Sequence, residues 1–337
     1  MSAPNILVTG ASGYLGSNLL KALDINKDYQ LTALDIEPNL DLLKTIRFLK
    51  TDINNIELLN SAFDGIDLIC HCASLGGTKH GLDNYSDDQI KNTNINGTQN
   101  IYNYAKIKGI KKIVLTSSID ILSQNQKKEK WPIDETIVCK PDTPYGTTKN
   151  SQENIARTFA ANNSIKTIAL RPCSFFALEN PVEQGFRLTG THAMAEDIVN
   201  AHIAAIKILL DEKKSSKLKN FEAIFITNKL PYKDDDKKLI GSNGNMKKLI
   251  QKYWPNHSNY LFDLGYKKAF LSGVYNLNKA KRVLNWEPML NFDQWLIKLK
   301  EKKLDFEDII KQNKKKKTLK YKAKKFLLKL KNKLGIK

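Results

Sequence analysis

Cysteine is scarce: the 337 residues hold four, Cys70, Cys72, Cys139 and Cys173. Their spacing fits no zinc-ligand pattern, so no metal site is expected. Four are also too few to staple a chain of this length, and they read as small buried thiols of a reducing compartment. No apolar run approaches the ~18 residues that would span a bilayer. No secretory leader is read, because Asn5-Ile6-Leu7-Val8-Thr9 already has the pattern of a first strand. The expected location is the cytoplasm. Acid is missing from the end of the chain, where residues 311–337 carry 13 lysines, no carboxylate and no arginine. Without those lysines the formal net charge of +19 falls to +6 over residues 1–310. The charge is therefore that of a mildly basic body with a basic tail, not of a surface built throughout for nucleic acid.

The body alternates apolar strands with amphipathic helices. Strands are expected at Ile6-Leu7-Val8, Leu31-Thr32-Ala33-Leu34, Leu68 to Cys72, Lys112 to Thr116 and Thr167 to Leu170, with helices from near Tyr14, over 91–108 and over 146–162. Continuous apolar strands between helices imply a parallel sheet buried on both faces. Beyond residue 175 the pattern is mixed and loop-rich. Lys213 to Lys219 and Lys233 to Lys238 read as charged, solvated turns.

Gly10-Ala11-Ser12-Gly13-Tyr14-Leu15-Gly16 follows the first strand and opens a helix. Glycines there permit a tight turn and let a pyrophosphate approach the helix N-terminus. Asp35 ends the second strand, 19 residues after Gly16. A carboxylate there accepts hydrogen bonds from ribose hydroxyls and repels a 2′-phosphate. Residues 36–46 supply no arginine to hold one, so NAD is favoured over NADP. Asp52-Ile53 follows the third strand and is a candidate adenine contact, with a turn-forming role for Asp52 as the alternative.

Tyr145 and Lys149 are separated by one helical turn, which sets them on one face. A phenol with a free pKa of ~10 is a poor acid–base group near neutrality, and a neighbouring ammonium is expected to lower it. With the glycine loop, Asp35, Ser117-Ser118 and Tyr145/Lys149 in this order, the chain resembles the extended short-chain dehydrogenase/reductases. More narrowly, it resembles the NAD-dependent sugar epimerase/dehydratases. Cys72-Ala73-Ser74, Asn94-Ile95-Asn96-Gly97-Thr98, Pro132-Ile133-Asp134-Glu135, Arg171-Pro172 and Val283 to Pro288 match further stretches of that family. The resemblance implies an α/β fold with a Rossmann-type doubly wound parallel sheet, a smaller C-terminal substrate-binding region and a basic helical tail. The expected division is residues 1–172 for NAD, 173–310 for substrate, interleaved with the sheet, and 311–337 for the tail. It further implies that Ser118, Tyr145 and Lys149 are catalytic. Gly10, Gly13, Tyr14, Leu15, Gly16, Asp35, Asp52, Ile53, Cys72, Ala73, Asn94 and Lys149 would hold the cofactor. A homodimer through helices 91–108 and 146–162 is expected on the same ground.

Dehydratases of that family carry an Asp-Glu pair where this chain has Ile119 and Asp120. Isoleucine cannot protonate a leaving hydroxyl, which argues against dehydration. Ser174 stands where the family has asparagine, and only 24 residues separate Pro172 from Asp197, a short wall for wrapping a nucleotide. Ser74, Lys79, Asp120, Ser174 and Arg187 are candidate substrate contacts. Three readings follow: a nucleotide-sugar epimerase or 4-keto-reductase of glycan synthesis, a dehydrogenase of a free sugar or sugar acid, and a non-catalytic NAD-binding module. The intact Ser118, Tyr145 and Lys149 speak against the last. In the tail, Leu319, Ala323, Phe326, Leu327, Leu330 and Leu334 recur at helical spacing among lysines. This is the pattern of a basic amphipathic helix suited to an anionic membrane surface, with nucleic acid the less favoured partner.

Overall fold

The computed structural model describes residues 3–39, 46–76, 85–122, 129–175, 185, 187–241, 244–263 and 271–301. Seven parallel strands form the central sheet. In chain order they are β1 (Asn5–Thr9), β2 (Gln30–Asp35), β3 (Arg47–Lys50), β4 (Leu68–His71), β5 (Lys112–Thr116), β6 (Lys166–Pro172) and the last strand, Phe221–Ile226. Their order across the sheet is β3-β2-β1-β4-β5-β6 and then Phe221–Ile226. The order reverses between β1 and β4, which pair Thr9 with His71 at their C-terminal ends. In a sheet of this kind the crevice beyond that reversal is where ligands bind.

Residues alternate between the two faces because side chains on a strand point to opposite sides. Ile6, Val8, Val114 and Ile168 enter one apolar cluster, and Leu7, Ile113, Leu115 and Ala169 the other. Helix α1 (Tyr14–Asp24) buries Leu15, Leu19, Leu20 and Leu23 on the first face. Each such side chain contributes about 1.5–3 kcal/mol when fully buried.

The helix expected over 91–108 is divided. It runs as α2 (Asp87–Lys91), a π-helical stretch Asn92–Asn96 and α3 (Gly97–Ile107). The helix expected over 146–162 is α4 (Pro144–Asn163). Thr143 caps it by accepting from the Gly146 N–H at 3.0 Å, and Pro144 fits its first turn, where no amide hydrogen is needed.

Among the described residues, the region beyond 175 is more regular than its sequence pattern suggests. It contributes a 16-residue helix, α5 (Ala195–Leu210), and the seventh strand, Phe221–Ile226. Most residues of both elements are buried or half-buried, several of the polar ones included, which blurs their periodicity. Within Lys233 to Lys238, Asp236 is buried, not solvated. It accepts from the Lys233 N–H at 2.7 Å, Lys252 Nζ at 2.5 Å and the Tyr253 hydroxyl at 2.5 Å. Those partners lie up to 17 residues away, beyond the reach of local pattern. Among the described residues no helix is long and apolar enough to cross a membrane.

Candidate active site

The glycine loop joins β1 to α1 at the point where strand order reverses. Gly10 takes φ +67°, and a Cβ on Gly16 would lie 2.2 Å from the Gly10 carbonyl oxygen, so the loop folds directly onto the first helical turn. Gly13, the N-cap, brings no side chain to cover the free amide hydrogens that begin α1. Gly10, Gly13, Tyr14, Leu15 and Gly16 line one side of a cleft. Asp35 closes the loop from β2, its Oδ2 accepting from the Ser12 N–H at 2.9 Å.

Across the cleft stand Cys72, Ser74, Ser118, Asp120, Tyr145 and Lys149. The first turn of α4 reaches them because Gly146 has no side chain. A Cβ there would meet the Asp120 carbonyl oxygen at 2.1 Å. Lys149 is buried and donates from Nζ to the Thr116 carbonyl at 3.0 Å, standing 5.5 Å from the centre of the Tyr145 ring. Burial lowers its ammonium from the usual lysine range to about 8, against the supporting charges of Cys72, Asp120 and Glu153.

The phenol departs from expectation. Burial and then the Asp120 carboxylate push the Tyr145 pKa up, while a hydrogen bond with Ser74 opposes them. Lys149 gives a hydrogen bond to the Thr116 carbonyl and none to the phenol oxygen. Ser118 is engaged as well: its hydroxyl donates to Asp120 Oδ2 at 3.1 Å and accepts from the Asp120 N–H at 3.1 Å. Burial raises the pKa of the Asp120 carboxyl, with Ser118 and Lys149 pulling the other way.

Other predicted residues fall elsewhere. Asn94 does not line the cleft. Its amide is filled by four bonds, accepting from the Leu75 N–H and Ser74 hydroxyl and donating to the Leu75 carbonyl and Thr148 hydroxyl. Asp52 accepts from the Asn54 N–H at 2.8 Å, as a turn former does, and Ile53 is core. Ala73 lies beneath the glycine loop, its N–H donating to Thr9 Oγ1 at 3.3 Å. Ser174 lines the cleft and pairs in register with His192 through two short strands, Ser174–Phe175 and His192–Ala193. Arg187 sits 3.3 Å from His192 Nε2, and neither residue lines the cleft. Lys79 lies outside the described residues.

The sequence of the NAD-dependent epimerase/dehydratase family matches residues 6–214. The chain belongs to that family. The family's members are NAD-dependent epimerases and dehydratases. It is 30% identical over 183 residues to the 3β-hydroxysteroid dehydrogenase/Δ5→4-isomerase of vaccinia virus, covering 50% of this chain and 51% of that one. The chain thus spans about half the length of these curated relatives. Its fold matches a UDP-glucose 4-epimerase of Thermotoga maritima with a TM-score of 0.63 at 20% identity, over 89% of this chain and 100% of that one. A uronate dehydrogenase from Agrobacterium tumefaciens matches with a TM-score of 0.61 at 19% identity, over 89% and 90%.

NAD is the family's cofactor, and this cleft fits it. The open amide hydrogens of α1 suit a pyrophosphate, and Gly10 and Gly16 let the loop close tightly onto Ala73 and the first helical turn, since a Cβ on either would meet backbone. Asp35 is fixed beside that loop by the Ser12 N–H. Thr116, Ser117, Pro172, Cys173 and Phe175 complete the family cleft. Behind the cleft, His202 of α5 bonds Thr116 Oγ1 through Nε2 at 2.9 Å. Sequence reasoning had no signal for His202, because its contact spans 86 positions.

Proposed function

We propose that this chain moves a hydride between NAD and a carbinol carbon of a sugar-class substrate, with Tyr145 as the acid–base. The convergence of Ser118, Tyr145 and Lys149 on one cleft opposite the glycine loop carries this reading. Hydride leaves carbon as a proton leaves its oxygen, so base and hydride acceptor must meet at one C–O unit. Bound in its oxidised form, NAD supplies the hydride-accepting ring and a positive charge beside the phenol. Tyr145 takes or returns the proton at its phenolic oxygen. Ser118 turns its hydroxyl from Asp120 to the same substrate oxygen, and Lys149 holds positive charge behind the phenol. Ile119, buried in the core, offers no acid for dehydration.

Nucleotide-sugar epimerisation or 4-keto-reduction in glycan synthesis is one form of this reaction, and the likeness to a UDP-glucose 4-epimerase supports it. The wall favours a second form, oxidation of a free sugar or sugar acid. Ser174, which lines the cleft, pairs directly with His192, and only 24 residues separate Pro172 from Asp197. A homodimer through α3 and α4 in the cytoplasm, peripheral to the inner face of a membrane through residues 311–337, belongs to the same proposal.

The deciding experiment incubates the protein with NAD and a panel of nucleotide sugars, free sugars, uronates and a 3β-hydroxysteroid. It follows both A340 and product identity. Product without net A340 identifies an epimerase, and A340 rising with product identifies a dehydrogenase. Turnover of the steroid alone, or of nothing, refutes the sugar-class reading.

A further inference from the structure

Glu153 lies on α4 one turn beyond Lys149, and Arg171 ends β6 just before the wall of the cleft. Both are fully buried. Arg171 donates from Nε to Glu153 Oε1 and from Nη2 to Oε2, each at 2.8 Å. The hydroxyl of Ser117, neighbour of Ser118, donates to Oε1 at 2.7 Å, and Arg157 donates to Oε2 at 3.0 Å. One carboxylate therefore receives four donors from three parts of the chain, namely the end of β5, the helix of Tyr145 and Lys149, and the end of β6. Two buried charges meet here with paired geometry, and removing either partner leaves the other uncompensated. A plain core would hold these elements together through contacts of any register. Directional bonds to a single carboxylate fix their positions relative to one another.

We propose that Glu153 is a positioning residue of the active site, setting Ser118, the Tyr145 helix and the wall beginning at Pro172 in one arrangement. The inference rests on Tyr145 being the acid–base. Glu153 touches neither cleft nor substrate and acts through Ser117 and Arg171.

The test uses full-length protein with NAD and the substrate that the panel identifies. Ser117→Ala removes one donor and little volume. It should lower kcat by about tenfold while the KM for NAD stays within about twofold, the signature of misplacement without lost binding. Glu153→Gln should lower kcat further. It should also move the alkaline limb of the pH profile to lower pH, because an anion supporting the Lys149 ammonium is gone. The groups facing Lys149 are His71, Cys72, Asp120, Tyr145 and Glu153, and only the last changes. Wild-type kcat in Ser117→Ala, or an unshifted limb in folded Glu153→Gln, overturns the proposal. If Glu153→Gln does not fold, Ser117→Ala decides alone. If the wild type turns over nothing in the panel, the proposed function has failed on its own. The positioning role is then read from the 13C NMR titration of Lys149 with NAD bound, where an unchanged midpoint in Ser117→Ala and Glu153→Gln overturns it.

Discussion

Lys149 donates to the carbonyl of Thr116, not to the phenol of Tyr145, although it stands over that ring. Lys149 is thus tied to the end of β5. Thr116 holds Lys149 through its carbonyl and His202 through its hydroxyl, which links the cleft to α5.

Replacing Tyr145 by Phe removes the proton-transfer group while keeping the ring. Turnover should fall by about 10²–10⁴-fold, the range for loss of a general acid–base. NADH affinity, read by fluorescence, should stay within about twofold. Near-normal turnover would remove Tyr145 from its assigned role.

Lys149 supplies a pH signature. Its pKa is lowered to about 8, so above that pH the folded protein loses a proton that the unfolded chain keeps up to the ordinary lysine value of 10.5. The unfolded state then binds more protons, and stability rises with pH in that window, by on the order of 1 kcal/mol per unit. Below pH 8 both states are protonated and the group adds no slope. Thermal unfolding between pH 8 and 10 should show the wild type gaining stability relative to Lys149→Met. Parallel curves would contradict a buried, titrating Lys149.

Gly16→Ala should be costly, because its Cβ meets backbone, the Gly10 carbonyl, which cannot rotate away. A loss of about 1–3 kcal/mol is expected for such overpacking. NAD affinity should fall along with Tm. A variant that binds NAD like the wild type would mean the loop is not the pyrophosphate cradle.

Asp35→Asn keeps an acceptor for the Ser12 N–H and removes the charge. NADH should bind more weakly and NADPH more tightly, changing their ratio by about tenfold, the scale of one charged hydrogen bond at the ribose. An unaltered ratio would take Asp35 out of cofactor choice.

The basic tail is tested by co-sedimentation with anionic liposomes, comparing the full chain with one ending at Ile310. A leaflet of anionic lipid attracts each surface lysine by about 1 kcal/mol. Only the full chain should pellet, and less so as salt rises. Equal pelleting of both would refute a membrane role for residues 311–337.

The glycine loop, Asp35, the serine pair and the Tyr145/Lys149 spacing were all legible in the amino-acid sequence. Each is a short segment whose backbone conformation or helical phase follows from residue types a few positions apart. Five of the first six strands were legible for the same reason, through their apolar runs, while β3, Arg47-Phe48-Leu49-Lys50, has none. Pairings over long separations were not. Glu153 with Arg171, His202 with Thr116, and Asn94 turned onto Leu75 and Thr148 depend on which helix packs on which strand, and no local pattern encodes that. The seventh strand and α5 escaped notice because most of their residues are buried, which leaves little polar face to mark a period. The sequence by itself determined the chemistry available at Tyr145. The tertiary structure decided its electrostatics, because burial and Asp120 raise the phenol while Lys149 is committed to Thr116.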